Sequence, residues 1–242
     1  MTTLRGQAAV ITGGSQGLGA ALGEELARRG ARVVLVARGQ AALDAVVARI
    51  RAASGEAHAF AADVGDKDAV FPIAGAAAAM VGDVDILVHA ASVLGDTPLP
   101  LLLDTPCETL ERVLAVNVVG PFRLTKAIAG GMALRGRGTI VHVSSDAAVE
   151  AYPRWGAYGA SKAALDHLSR TFAAELASSG VRSIAIDPGE MDTAMHAAAL
   201  PDANPATLAK PTDVARAIVD CLERGDVASG ARVVLSADGG AS

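Results

Sequence analysis

Seven short apolar runs alternate with longer alanine-rich stretches along the chain, and this alternation restricts the folds open to it. The strand candidates are 8–12, 32–37, 57–61, 84–89, 139–144, 182–187 and 232–236, with helical stretches expected at about 17–29, 40–53, 67–80, 107–133, 157–178 and 212–223. The apolar runs are nearly continuous, as in strands covered on both faces. Such alternation predicts an α/β, doubly wound domain: a mostly parallel seven-stranded sheet with helices on both faces. With 242 residues and neither an internal repeat nor a dividing linker, a single domain over 1–242 is expected. The stretch 189–211 contains Pro201, Pro205 and Pro211, so a continuous helix is not expected there. It reads as a substrate lid, or else as an ordinary connection with short helical turns.

Thr12-Gly13-Gly14-Ser15-Gln16-Gly17-Leu18-Gly19 follows the first strand and opens the first helix. Gly13 permits a tight turn, Gly17 lets the backbone approach a pyrophosphate, and Gly19 permits close helix–strand packing. The free N–H groups and positive end of the helix then favour phosphate. Gly13, Ser15, Gln16, Gly17, Leu18 and Gly19 are therefore dinucleotide-binding candidates of a Rossmann-like fold. The second strand ends Val36-Ala37-Arg38-Gly39-Gln40, without the carboxylate that would accept from a ribose 2′-OH. Arg38 stands there instead and can pair with a 2′-phosphate, so the cofactor expected is NADP(H). Asp63, with Val64 beside it, follows the third strand. Asp63 either meets the adenine or caps the helix that begins near Asp66.

Tyr158 and Lys162 are four residues apart, so on a helix they share a face. An ammonium beside a phenol favours phenolate. A tyrosine acid/base working near neutrality asks for a shift of about three units from pH ~10, roughly 4 kcal/mol. Ser145 lies upstream at the end of an apolar run and offers a hydroxyl donor. This set suits reduction of a carbonyl or oxidation of an alcohol. A half-buried tyrosine and a solvated lysine would show the same spacing. The small residues of 156–164 suit either the approach of a cofactor or close helix packing.

Together the glycine loop, Ser145, Tyr158 and Lys162 resemble the short-chain dehydrogenase/reductase family, in its compact single-domain branch, over essentially the whole chain. The resemblance implies that Tyr158 gives or takes the substrate proton and that Ser145 hydrogen-bonds the substrate oxygen. It implies that Lys162 binds the nicotinamide-ribose hydroxyls and lowers the Tyr158 pKa. Asn117, in Asn117-Val118-Val119-Gly120, would hold a water linking Lys162 to solvent. Pro188-Gly189 followed by Thr193 matches the family's segment on the nicotinamide side, and Asp238-Gly239-Gly240 resembles its usual ending. After the fourth strand the family has Asn-Asn-Ala-Gly; this chain has His89-Ala90-Ala91-Ser92. Ala90 and Ala91 are expected to shape the cofactor cleft through their backbone, His89 to replace Asn structurally, and Ser92 to change the local conformation. Asp187 replaces the common Asn before Pro-Gly, which reads as a harmless local hydrogen-bond change.

A net charge of −5 without a basic block argues against nucleic acid as a partner. Cys107 and Cys221 lack metal spacing and read as buried thiols of a reducing compartment. No His/Cys/carboxylate cluster suggests a metal. Neither a signal peptide nor an apolar run long enough for a membrane stands out, so a cytoplasmic location is expected. Pocket candidates are Met191, Met195, His196 and Leu200 in the lid, and Val149, Tyr152, Arg154 and Trp155 after Ser145. The resemblance implies a homodimer or homotetramer through the long central helices and the last strand. The leading expectation is an NADP(H)-dependent oxidoreductase of the carbonyl reductase or alcohol dehydrogenase type. Its partner would be a small-molecule ketone or secondary alcohol. The alternatives are an NADP(H)-binding sensor or scaffold with little catalysis, and related chemistry such as enoyl reduction or sugar-nucleotide epimerisation.

Overall fold

The computed structural model describes residues 4–235. Asp238-Gly239-Gly240 and the Ser236 end of the last expected strand lie outside the described residues. Seven strands form one sheet: β1 (Ala8–Thr12), β2 (Arg32–Ala37), β3 (Glu56–Ala61), β4 (Ile86–His89), β5 (Gly138–Val143), β6 (Val181–Asp187) and β7 (Arg232–Val234). Their order is β3-β2-β1-β4-β5-β6-β7, and every adjacent pair is parallel. The order reverses between β1 and β4, which opens a crevice beyond the carboxyl ends of the strands.

The helices are α1 (Gly17–Arg28), α2 (Gln40–Ala52), α3 (Val70–Val81), α4 (Cys107–Leu114), α5 (Gly120–Arg135), α6 (Gly156–Glu175), α7 (Ala194–Ala199) and α8 (Pro211–Arg224). Side chains alternate across each strand. Ala9 and Ile11 of β1 join α1, α2 and α8 in one apolar layer, while Ala8 and Val10 join α3 and α5 in the other. The chain is 51% hydrophobic but only 3% aromatic, so these layers are built from alanine and branched aliphatics that let helices sit close to the sheet.

The single helix expected over 107–133 is α4 and α5 joined through a wider turn at Ala115–Val119. Pro121 has no N–H to give the Asn117 carbonyl four residues back, so a regular α-helix is interrupted there. The continuous stretch Cys107–Arg135 is nonetheless long and apolar enough to cross a membrane by length and composition, which corrects the expectation that no run is. Half of its most apolar window is buried in the domain, and Asn117 and Thr125 are buried within it. Its apolar character thus serves the core. Cys221 is buried as expected, but Cys107, at the solvent-facing start of α4, is exposed.

His89 ends β4 and pairs in register with His142 of β5, and their rings stack with centroids 5.0 Å apart. His142 stacks in turn on Phe172 of α6, which places α6 on the same side as α3 and α5. His89 Nε2 meets Thr125 Oγ1 at 2.9 Å. Neither nitrogen of His142 has a protein partner among the described residues. Burial drives both rings neutral. His142 is pushed down to about 3, with the Lys162 charge adding to the effect of desolvation. His89 lies well below the usual imidazole range through desolvation and then His142. His89 is thus a buried core residue.

This pair predicts an acid-labile fold. The folded rings stay neutral while the unfolded ones take up protons below about pH 6.5, so stability is complete above that pH and is lost as pH falls towards 3. The loss approaches about 1.4 kcal/mol per pH unit for each ring. Replacing His142 with Phe should remove one such increment, seen as a flatter decline of melting temperature from neutral pH down to about pH 4. An unchanged slope would show that His142 does not carry it.

Candidate active site

The turn from β1 into α1 depends on glycine at two points. Gly13 has a φ of 72°, and a Cβ there would lie 2.8 Å from the Ala91 nitrogen. A Cβ on Gly19 would lie 2.2 Å from the Gly13 carbonyl oxygen. The first turn of α1 has no side-chain cap and no acidic residue. Its free N–H groups and positive dipole end therefore face open space.

That space is a cleft of about 1230 Å³ running from the glycine loop, past Arg38, Asp63 and Val64, to Ser145, Tyr158 and Lys162. Ser15, Gln16, Gly17, Leu18, Ala90, Ala91, Pro188, Gly189 and Thr193 also line it. Of the candidate catalytic and cofactor-binding residues, Asn117 alone does not. The cradle of backbone amides at one end and the buried polar side chains at the other fit an extended dinucleotide.

Arg38 is exposed and lines the cleft. Glu24, on the same stretch of wall, is neutralised by Arg49 at 2.8 Å. Asp63 Oδ1 accepts from Gly65 N at 2.9 Å. The helix cap near residue 66 belongs to Asp66, which accepts from Asp68 N. The capping alternative for Asp63 is thereby removed.

The turn after β4 is held by side chains. Thr12 Oγ1 accepts from both Ala90 N and Ala91 N at 3.2 Å. Asn117 closes the other side: its Nδ2 donates to Val93 O and to Ser161 Oγ, and its Oδ1 accepts from Val93 N, each at 2.9 Å. Ser92, between these two anchors, has no left-handed backbone conformation. The conformational change expected of serine at this position therefore takes no strained form. The Asn117 amide thereby clamps Val93 to α6.

Tyr158 and Lys162 both lie in α6 and are buried. Lys162 Nζ donates to Val143 O at 2.6 Å and stands 5.5 Å from the centroid of the Tyr158 ring. Desolvation brings Lys162 down to about 8, against the opposing pull of Asp166 and Asp187. Tyr158 is pushed up to about 12, chiefly by burial, with Asp146 and Asp187 adding to the rise and the hydroxyls of Ser145 and Ser92 opposing it. This corrects the expected lowering by Lys162. The ammonium lies against the ring and is aimed at a backbone carbonyl, so it does not offset the desolvation of the phenol oxygen. Ser145 Oγ donates to Asp146 Oδ1 at 2.8 Å and accepts from Ala147 N at 3.2 Å.

Asp187 proves more than a harmless replacement. Its Oδ1 accepts from Gly189 N at 3.0 Å and its Oδ2 from Arg232 at 2.7 Å. Arg232 also binds Asp166 Oδ2 at 3.0 Å and the Ser145 carbonyl at 2.9 Å. Sequence reasoning missed Arg232. The signal available was the buried-position carboxylate replacing Asn, which calls for a cation nearby.

The 189–211 stretch contains α7, a turn of 3₁₀ helix at Pro205–Thr207 and a bridge between Met191 and Ala209. Thr193 Oγ1 caps α7 by accepting from His196 N at 3.2 Å. Met191, Met195 and His196 line the cleft, whereas Leu200 does not. Tyr158 clusters with Leu94, Leu99 and Ala147, and Trp155, Met195 and Ala199 pack against this group. Trp155 meets the Tyr158 ring edge-on at 5.7 Å. Of the four residues expected after Ser145, Trp155 alone lines the cleft. Val149 and Tyr152 are exposed, and Arg154 turns to the Leu99 carbonyl at 3.3 Å. Among the described residues, no group of His, Cys, Asp and Glu could hold a metal ion.

A family model described as short chain dehydrogenase matches residues 7–204. A short chain dehydrogenase of Pseudocercospora fijiensis is 38% identical over 197 residues, 80% of this chain and 62% of the relative. The chain thus spans less than two thirds of that relative's length. A solved short chain dehydrogenase structure from Pseudomonas syringae superposes with a TM-score of 0.90 at 30% identity, covering 96% of this chain and 95% of that one. Another from Shigella flexneri, complexed with NADP, gives a TM-score of 0.87 at 26% identity, with coverages of 96% and 98%.

Proposed function

Because this chain belongs to the short-chain dehydrogenase family of nicotinamide-dependent oxidoreductases, we propose that it uses NADP(H) to interconvert a ketone and a secondary alcohol. The observation that carries this reading is the one cleft joining the glycine cradle to Ser145 and the buried Tyr158 and Lys162. When bound, the nicotinamide supplies or accepts the hydride. The α1 N-terminus and the loop from Gly13 to Gly19 hold the pyrophosphate, and Asp63 and Val64 border the adenine. Ala90, Ala91, Pro188, Gly189 and Thr193 border the nicotinamide end. The stretch 189–211 acts as a lid over the substrate, with Met191, Met195 and Trp155 giving the pocket an apolar side.

Tyr158 performs the proton step. A phenol pushed up to about 12 is protonated at neutral pH and is poised to donate to a substrate alkoxide. Ser145 contacts the substrate oxygen once its proton leaves Asp146. Lys162 keeps a positive charge beside the site and offers its ammonium to ribose hydroxyls. The two long helical stretches suit assembly into a homodimer or homotetramer, since Phe122 and Leu134 on α5 are exposed. Following NADPH absorbance across a broad panel of ketones tests the reading. Turnover of a ketone supports it, whereas tight NADPH binding without turnover of any would replace it with a binding protein.

Arg38 supports NADP(H) over NAD(H), in keeping with the NADP bound by the Shigella flexneri structure. Arg38→Asp should weaken NADPH binding by about ten- to a hundredfold, the worth of one charge-assisted pair to phosphate. NADH affinity should hold or rise. Equal affinities of the unaltered protein for both cofactors would remove Arg38 from the selection.

A further inference from the structure

The cleft changes charge between its two ends. Apart from Lys162, the lysine and arginine side chains that line it are Arg38 and Arg49, both on the wall past the glycine cradle. Around Ser145 and the 189–211 stretch the charged lining is acidic: Asp146 after β5, and Glu190 and Asp192 after β6. Asp146 stands beside the reacting position. Its Oδ1 accepts from Ser145 Oγ and from Ala147 N, each at 2.8 Å, and its Oδ2 from the Tyr152 hydroxyl at 3.1 Å. All three donors are neutral, and no lysine or arginine pairs with this carboxylate among the described residues. The charge of Glu190 acts on the same Tyr152 phenol, so two strand ends bring negative charge to one rim of the cleft. We propose that the ketone taken by this cleft carries a positive charge close to its carbonyl, as an α-ammonium ketone does, and that Asp146 selects it. This rests on the functional reading above, in which Ser145 contacts the substrate oxygen. The conversion adds a hydride to the carbonyl carbon and a proton to its oxygen, and leaves the ammonium unchanged.

A substrate oxygen bonded to Ser145 Oγ at about 2.8 Å comes within about 6 Å of Asp146 Oδ1. An ammonium one carbon beyond the carbonyl therefore reaches the carboxylate, and their attraction grows as the substrate displaces water from the cleft. Trp155 lines the cleft beside Tyr158 and suits an alkylated ammonium. A cation at Asp146 also weakens that carboxylate as an acceptor for Ser145, which frees the hydroxyl for the substrate oxygen. It offsets the Asp146 charge that works against a negative Tyr158 oxygen. A ketone bearing a carboxylate or phosphate would meet Asp146 and Glu190 instead of a counter-charge. Lys162 is turned to Val143 O, and Arg154 to the Leu99 carbonyl.

Three methyl ketones isolate the charge: acetonyltrimethylammonium, its uncharged isostere methyl neopentyl ketone, and acetoacetate. Trp155 is the single tryptophan of the chain and lines the cleft, so its fluorescence reports their binding to protein saturated with NADP+, where none is reduced. The cation should bind at least about fivefold more tightly than the isostere, and acetoacetate most weakly. With NADPH, kcat/KM should follow the same order. In Asp146→Asn the ratio of cation to isostere should fall to within about twofold. Both ketones use Ser145, so the ratio cancels any general loss from disturbing that hydroxyl. Glu190→Gln should lower the ratio less than Asp146→Asn does. Raising the salt concentration should shrink the preference of the unaltered protein, a second measurement that holds should Asp146→Asn fail to fold. Equal binding of cation and isostere, tighter binding of acetoacetate, or a preference that survives Asp146→Asn or high salt would overturn the proposal. Charge-selective binding without turnover of any ketone would sink the functional reading alone and leave the selection by Asp146 standing.

Discussion

Tyr158→Phe is expected to lower kcat by about 10²–10⁴-fold, the usual worth of a positioned acid or base. The substitution removes one oxygen and keeps the ring that packs against Leu94, Leu99 and Ala147. The fold and the glycine cradle should therefore be unaffected, and NADPH affinity should change by less than about threefold, since most of the binding energy lies elsewhere in the cleft. The unaltered enzyme should also show opposite pH trends in the two directions. Ketone reduction needs the neutral phenol, so it should not require alkaline conditions. Alcohol oxidation needs the phenolate and should rise with pH towards the group's value of about 12. Steady-state rates in both directions with direct cofactor titration check this. Activity within about tenfold of the unaltered protein would remove Tyr158 from the proton step.

The parts of this site that were legible in the sequence are those set by local geometry. Continuous apolar runs marked the strands, and Gly13 and Gly19 marked the cradle because the backbone beside them admits nothing larger. Helical spacing placed Tyr158 and Lys162 on one face. It could not say where the lysine tip points, because its acceptor, Val143 O, comes from β5, 19 residues earlier. Asn117 was found by its motif, yet its amide bonds Val93 and Ser161 across distant elements. The desolvation that raises Tyr158 depends on apolar residues gathered from separate loops and from the 189–211 stretch, which no local pattern encodes. Asp187 was visible as a substitution, but its partner lies 45 residues away on β7. Ala185 pairs with Arg232, and Asp187 with Val234. Positions two apart share a face of the sheet, so Arg232 comes beside Asp187 only through this pairing.

Arg232→Met should destabilise the protein by about 3 kcal/mol, the lower end for breaking a buried charged cluster. The lower end applies because the Arg232 side chain keeps 19% exposure, while those of Asp166 and Asp187 keep only 5% and 4%. Two carboxylates would be left poorly compensated, and Asp166 Oδ1 already lacks a partner. Denaturant unfolding measures the effect, and a loss below about 1 kcal/mol would show that water or Lys162 compensates the pair. Adding Asp187→Asn should recover part of the loss, because the amide still accepts from Gly189 N without requiring a counter-charge. The active site should respond as well, since Arg232 holds the Ser145 carbonyl. Asp166 and Asp187 each favour the charged form of Lys162. Without Arg232 to neutralise them, they should raise its ionisation above about 8. Any alkaline loss of activity caused by Lys162 deprotonation should then move to higher pH. A shift to lower pH would mean that the cluster does not act on Lys162 through its charge.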